Sequence, residues 1–196
     1  EVHHRRPDPA LGATLFAALL VAAPLAFWQM QAHVQPFAGY GAPAWAAFAA
    51  LGFRGLVCLR AGEDRLAWAA QLLWWLLWPL VLSLLLGHVA RVAGLAGGWF
   101  AVAIALPWLL VSALSLWRWP WLARPLGERF DPIRTALRGA LLGVLALWWL
   151  VALGNPGDSA PLPWIVLLNP LDLAQLGVVL LLARWLWSPD GTAPQG

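Results

Sequence analysis

Lysine is absent from this chain of 196 residues, so all twelve of its strongly basic side chains are arginines. A P-loop, a Schiff-base enzyme and a pyridoxal-phosphate enzyme each need a lysine, and these classes are therefore excluded. The single cysteine, Cys58, excludes an intrachain disulfide and is interpreted as a buried structural thiol. Four scattered histidines offer no zinc or haem spacing, so we expect no metal and no cofactor.

Charged residues of either sign are also scarce. They make up 11% of the chain, whereas 62% of its residues are hydrophobic. Ordinary soluble domains are about 45–50% apolar, so this composition excludes them. The arginines form no contiguous basic surface in water, and we therefore expect no nucleic-acid partner.

Six long apolar runs predict transmembrane helices over residues of about 10–30, 43–60, 66–88, 92–117, 134–154 and 170–187. The predicted fold class is therefore all-α, a polytopic transmembrane helical bundle. Residues 1–9 are predicted to be an N-terminal cytoplasmic segment, residues 10–187 a single transmembrane domain and residues 188–196 a flexible polar tail.

The arginines predict the orientation of these spans. Only Arg91 lies at one set of span ends, and the other eleven lie at the opposite set: Arg5, Arg6, Arg54, Arg60, Arg65, Arg118, Arg124, Arg129, Arg134, Arg138 and Arg184. Arginine is enriched on the cytoplasmic side of membrane proteins. Both termini are therefore predicted to be cytoplasmic.

Small and aromatic residues predict how the helices pack. Two Gly-x-x-x-Gly pairs, Gly94 with Gly98 and Gly139 with Gly143, are expected to allow close helix approach. Most of the sixteen tryptophans fall near predicted interfaces, as in other membrane proteins. Four lie deeper and are predicted to pack between the third and fourth helices or against a partner, with a wall for a planar or polyprenyl ligand as the alternative: Trp74, Trp75, Trp78 and Trp108.

Residues 118–133 form the longest predicted cytoplasmic segment, and three prolines prevent it from being one continuous helix. Its alternation of Trp and Leu with Arg is typical of a segment in the headgroup region. Asp131 and Pro132 predict the start of the fifth span. Five arginines are candidate contacts for anionic lipid or phosphate, although simple retention on the cytoplasmic side is the preferred explanation of the same residues: Arg118, Arg124, Arg129, Arg134 and Arg138.

A second group of polar residues lies at the predicted outer end of the last span. Asn169, Asp172 and Gln175 lie broadly on one side of that helix, and His88 and Arg91 are predicted at the same membrane face. Three interpretations remain open: a helix cap, a structural pair of Asp172 with Arg91 or His88, and a ligand or proton site. The apolar stretch 161–168 before the helix is predicted to be surface-lying or re-entrant.

The stretch from Asp158 to Gln175, above all the Leu-Leu-Asn-Pro-Leu-Asp-Leu sequence of residues 167–173, resembles the C-terminal part of large bacterial multi-pass membrane proteins, the domain of unknown function 2339 family. Trp119-Pro120 fits the same pattern. Trp164 departs from it, since a tyrosine is expected there, and Ile165-Val166 replaces a Leu-Pro-like step. The resemblance implies a bacterial inner membrane and assigns no catalytic residue.

Members of that family are far longer than this chain, which begins with Glu1 and not with methionine. We therefore expect the chain to be a portion of a longer protein. Its expected partners are membrane lipids, other integral membrane proteins or the rest of the parent chain.

Three functions are compatible with these residues. The first is an integral subunit or scaffold that binds other membrane proteins or lipids. The second is a transporter or channel component, favoured by Pro79 and Pro107 because interrupted helices often frame substrate sites. The third is an enzyme acting on a lipid-linked substrate, favoured by the arginines and Asp172.

Overall fold

The computed structural model describes residues 9–33, 35–60, 65–160, 165 and 169–187. Within these residues the fold is all-α. The elements are α1 (Pro9–His33), α2 (Gly41–Leu59), α3 (Arg65–Val92), α4 (Gly97–Trp117), α5 (Trp119–Ala123), a 3₁₀ helix (Gly127–Ile133), α6 (Arg134–Ala152) and α7 (Pro170–Leu186).

The two helices α3 and α4 form the centre of the bundle and pack against each other. On one side α1 packs along α3, and α2 contacts both α1 and α3. On the other side α6 and α7 pack on α4 and on each other. The short α5 and the 3₁₀ helix connect α4 to α6 and cover one end of the bundle.

Five helical segments of the described chain are long and apolar enough to cross a membrane: Ala10–His33, Gly41–Leu59, Arg65–Val92, Gly97–Trp117 and Gly127–Ala152. Large apolar side chains also cover the outside of the bundle, as at Leu51 and Val151, which are 70% and 73% exposed. Such a surface is favourable in lipid and unfavourable in water. The predicted all-α fold with multiple membrane spans is therefore confirmed.

Some predicted boundaries need correction. α3 continues to Val92, four residues beyond its predicted end, and α4 begins only at Gly97. Pro79 and Pro107 lie inside these two helices without ending them. α6 begins at Arg134, at the predicted start of the span 134–154, but Asp131 does not cap it, because residues 127–133 form the preceding 3₁₀ helix.

The deep tryptophans do not pack as one group between α3 and α4. Trp74 and Trp78 of α3 turn towards α2, where their rings lie against Phe48 and Trp45 at centroid distances of 6.1 and 5.9 Å. Trp75 instead approaches Trp121. The periodicity of a helix that is apolar all round does not reveal which face meets which neighbour.

Cys58 also differs from its interpretation as a buried thiol, because its side chain is exposed. The buried residues of α2 include Gly52, Leu56 and Leu59, which follow one stripe of the helix. Cys58 lies off this stripe, on the outer surface of the bundle.

Several predictions fall outside the described residues. These are the N-terminal segment apart from Pro9, the tail 188–196, and the surface-lying or re-entrant stretch 161–168 apart from Ile165.

Candidate functional site

The arginine end is the end of the bundle formed by α5, the 3₁₀ helix and the adjoining termini of α2, α3, α4 and α6. One apolar cluster joins these elements through Leu59, Ala67, Leu122, Phe130 and Leu137. Most of the candidate phosphate contacts belong to this end. Its geometry therefore decides which arginines are available to a ligand.

Gln71 of α3 fixes α5 and the following turn. Its side chain is fully buried, and its amide Nε2 donates to the carbonyl oxygen of Leu122 at 2.8 Å. Its Oε1 accepts from the backbone N–H of Leu126 at 3.0 Å, and Trp75 Nε1 also donates to Leu122 O at 3.0 Å. Carbonyls in the last turn of a helix lack intrahelical partners, and these donors satisfy that of Leu122. The connecting segment is therefore fastened to a membrane-spanning helix.

Trp119 organises the opposite side of the segment. Its indole stacks on Phe130, with centroids 5.6 Å apart and an interplanar angle of 6°, and its Nε1 donates to Asp131 Oδ1. The guanidinium carbons of Arg134 and Arg138 lie 5.4 and 5.8 Å from its ring centroid. These distances are within the range of cation–π attraction.

Arg138 is a structural arginine. Only 3% exposed, it donates from Nε and Nη2 to the carbonyl oxygen of Ser115 at 3.0 and 2.8 Å. Ser115 lies in the last turn of α4, where carbonyls lack helical partners and the helix dipole favours a positive charge. Arg138 therefore caps α4 from the neighbouring α6.

Arg60 and Arg124 line a cleft on the surface of α5 and the 3₁₀ helix. This arginine-end cleft has a volume of about 410 Å³ and is lined by Arg60, Trp119, Pro120, Ala123, Arg124, Gly127, Glu128 and Asp131. Arg129 lines an adjoining cavity together with Arg60 and Glu128, and Arg118 lines another together with Arg124. The cleft is thus lined by both positively and negatively charged side chains.

Sequence reasoning did not single out Arg60 as a ligand contact. It follows the last residue of α2, and its guanidinium lies against the backbone of Gly127, where a Cβ would approach Arg60 Nη2 to 2.8 Å. Gly127 has a φ of +69°, a conformation that favours glycine. The glycine in the Leu126-Gly127-Glu128 turn was the available signal, but it did not identify which arginine would lie over it.

At the opposite end, Asn169 and Asp172 form the predicted helix cap. Asn169 Oδ1 accepts from the backbone N–H of Asp172 at 2.9 Å, and Asn169 Nδ2 donates to Asp172 Oδ2. Gln175 is half-buried one turn further along α7. These contacts give Asn169 and Asp172 a local role at the start of α7.

Arg91 and His88 lie on α3. The Nε of Arg91 donates to Gly87 O at 3.3 Å, and its guanidinium lies 5.5 Å from the ring centroid of Phe100, while His88 is half-buried. The guanidinium of Arg91 therefore contacts its own helix, α3, and the neighbouring α4. The ligand site proposed for these residues remains a prediction.

The glycine pairs have different surroundings. Gly94 lies beyond the end of α3, whereas Gly98 donates its N–H to Asp158 O at 3.0 Å and leaves no space there for a Cβ. A Cβ added at Gly139 or Gly143 would meet no atom of the described chain within 4 Å. Gly98 therefore makes its close contact with the loop that contains Asp158 and not with a neighbouring helix.

A family model described as Predicted membrane protein (DUF2339) matches residues 1–195. This match extends the resemblance seen around residues 158–175 to nearly the whole chain. Comparisons with curated proteins and with solved structures gave no match.

Proposed function

The chain belongs to the DUF2339 family of predicted membrane proteins, and we propose that it is a six-span subunit or scaffold of the bacterial inner membrane that binds lipid headgroups at its arginine end. The observation that carries this proposal is the arginine-end cleft. Arg60 and Arg124 line it, and Gln71 of α3 holds the surrounding segment through buried hydrogen bonds to Leu122 and Leu126. A rigid end with accessible guanidinium groups suits phosphate recognition.

The sixth span of this proposal is α7. It has 17 residues, which corresponds to about 25 Å of helix, near the lower limit for crossing a bilayer. Val178 and Leu181 of α7 pack with Leu142 and Leu145 of α6, so the two helices share a core. With six spans, both termini lie on the same side of the membrane. The distribution of the arginines favours the cytoplasmic side.

The exposed surface supports a role in binding lipids or other membrane proteins. Trp117 and Trp121 line the cavity that contains Arg118 and Arg124 and are 58% and 54% exposed. Tryptophan favours the level of the headgroups. The small-residue face of Gly139 and Gly143 is open in the described chain and is compatible with a helix from another membrane protein.

A transporter or channel component is the second candidate. Pro79 and Pro107 are both buried, one in each helix of the central pair, and Ser83 Oγ donates to Ile104 O across this contact at 2.6 Å. Each proline removes one intrahelical hydrogen bond and so weakens the helix locally. An enzyme acting on a lipid-linked substrate is the further alternative, because the same cleft would suit a lipid phosphate.

Native mass spectrometry of the protein extracted gently from its own membrane tests the scaffold proposal. We expect a stoichiometric mass of a second protein or of a larger parent chain, together with retained phospholipid. A protein released without protein or lipid partners contradicts the proposal. Loss of solute flux on Pro79→Ala, with unchanged partner content, favours the transporter instead.

Single-cysteine labelling tests the six spans and their orientation. In a Cys58→Ser background, Tyr40→Cys lies in the α1–α2 loop at a position that is 92% exposed, and Glu128→Cys lies at the arginine end. We expect a membrane-impermeant maleimide to label Tyr40→Cys in cells with a permeabilised outer membrane. Labelling of Glu128→Cys requires rupture of the inner membrane. The reverse pattern contradicts the orientation.

A further inference from the structure

The charges of the arginine-end cleft point to one class of lipid. We propose that the cleft binds the phosphoethanolamine headgroup of a phospholipid, with the phosphate at Arg60 and Arg124 and the ammonium at Glu128 and Asp131. This inference rests on the proposed function and specifies its ligand.

The cleft carries two positive and two negative side chains. A headgroup with one phosphate and one ammonium complements both signs. An anionic headgroup without an amine would satisfy the arginines and leave Glu128 and Asp131 facing negative charge. Charge balance therefore favours a zwitterion.

The charged groups are also available. Arg60 and Glu128 line both the arginine-end cleft and the adjoining cavity of about 280 Å³. In the part of the chain that the structure describes, the side chains of Arg60, Arg124 and Glu128 have no hydrogen bond or ion pair. Opposite charges that share a cavity without direct contact leave space for a ligand between them. A bound zwitterion would replace solvent at both groups with charge-assisted hydrogen bonds.

The walls of the cleft suit a small headgroup. Its volume of about 410 Å³ lies within the range of about 300–1,000 Å³ found for small-ligand sites. Ala123 and Gly127 add little side-chain bulk, while Trp119 and Pro120 supply an apolar wall. A polar site beside apolar surface matches the boundary between headgroup and acyl chain.

Part of the site is fixed before a lipid binds. Trp119 Nε1 donates to Asp131 Oδ1, and the Trp119 ring is held by stacking on Phe130. Gln71 fixes the backbone on the other side of the cleft. The ligand therefore has to order mainly Arg60, Arg124 and Glu128, which lowers the entropic cost of binding.

Lipid competition with native mass spectrometry tests this inference. The purified full chain is exchanged into detergent with equimolar phosphatidylethanolamine, phosphatidylcholine and phosphatidylglycerol, whose acyl chains match in hydrophobicity and differ in mass. We expect roughly tenfold preferential retention of phosphatidylethanolamine, equivalent to about 1.4 kcal/mol. Phosphatidylcholine has the same net charge, but its quaternary ammonium donates no N–H to a carboxylate, so it isolates the contribution of the amine.

Three variants assign the contacts. Glu128→Gln is expected to abolish the preference for phosphatidylethanolamine over phosphatidylcholine, and Asp131→Asn to reduce it. Arg60→Gln is expected to weaken retention of all three lipids. Arg54→Gln is the matched control in α2, the helix that Arg60 follows, because Arg54 is exposed and lies outside the cleft. Tryptophan fluorescence checks that each variant is folded.

The outcomes separate this inference from the broader proposal. Preferential retention of phosphatidylglycerol, increased by Glu128→Gln, overturns the phosphoethanolamine assignment and leaves a headgroup-binding scaffold. Equal retention of the three lipids, unaffected by Arg60→Gln, overturns lipid binding at the cleft altogether. Displacement of lipid by millimolar inorganic phosphate alone identifies a phosphate site and also overturns the zwitterion assignment.

Discussion

Replacement of Arg138 by methionine is expected to lower the free energy of unfolding by about 2–3 kcal/mol. Methionine keeps an unbranched apolar stem in place of the arginine stem, but it removes both donors to Ser115 O. The carbonyl is then buried in the last turn of α4 without this partner. The cation–π contact of Arg138 with Trp119 is lost as well.

Unfolding in mixed micelles with increasing sodium dodecyl sulfate measures this change. Arg124→Met is the matched control, because Arg124 is exposed and a surface substitution there is expected to change stability by less than about 0.5 kcal/mol. Arg138→Lys should fall between the two, since a lysine retains the charge but not the fork of donors. Equal stabilities for Arg138→Met and Arg124→Met contradict the capping role of Arg138.

The role of Arg138 also illustrates the limit of sequence reasoning here. Arg134 and Arg138 are four residues apart at the start of α6, and by sequence they resemble Arg118 and Arg124 as boundary charges. Which of them becomes buried depends on the face that α6 presents to α4, a tertiary property. Hydropathy predicts that a helix crosses the membrane, but not its rotation about its own axis.

Motifs made of consecutive residues could be predicted from the sequence, whereas contacts between residues far apart in the chain could not. The cap formed by Asn169 and Asp172 could be predicted because all its atoms belong to four consecutive residues. The N-cap predicted at Asp131 is wrong because Asp131 accepts a hydrogen bond from Trp119, twelve residues away, and α6 begins only at Arg134. The cleft combines Arg60 with residues some sixty positions later, and no sequence spacing indicates that contact.

The structural role of Gln71 at the arginine end is not indicated by the sequence. Near the start of a transmembrane helix, a glutamine looks like an ordinary interfacial residue. Its full burial follows from the way the segment of α5 and the 3₁₀ helix folds over the end of α3. Its amide nitrogen donates to Leu122 O in that segment, and its amide oxygen accepts from the backbone N–H of Leu126. It therefore determines the position of Arg124 and Glu128 without touching the proposed ligand.

Gln71→Leu is accordingly expected to loosen residues 119–133 and to cost about 2 kcal/mol of stability. The backbone N–H of Leu126 loses its partner, and Leu122 O retains only Trp75 Nε1, while leucine fills a similar volume. Hydrogen–deuterium exchange should rise in residues 119–133 by roughly tenfold, the factor that corresponds to about 1.4 kcal/mol of local opening. Retention of phosphatidylethanolamine should fall in the same variant.

Gln175→Leu is the matched control, because Gln175 is a half-buried glutamine on α7 near the opposite end of the bundle. It should leave exchange in residues 119–133 and lipid retention unchanged. Unchanged exchange in Gln71→Leu contradicts the fastening role of this residue. Faster exchange with full lipid retention leaves the fastening intact and shows that a rigid segment is unnecessary for binding. The pair of variants thus separates the architecture of the arginine end from the chemistry proposed for it.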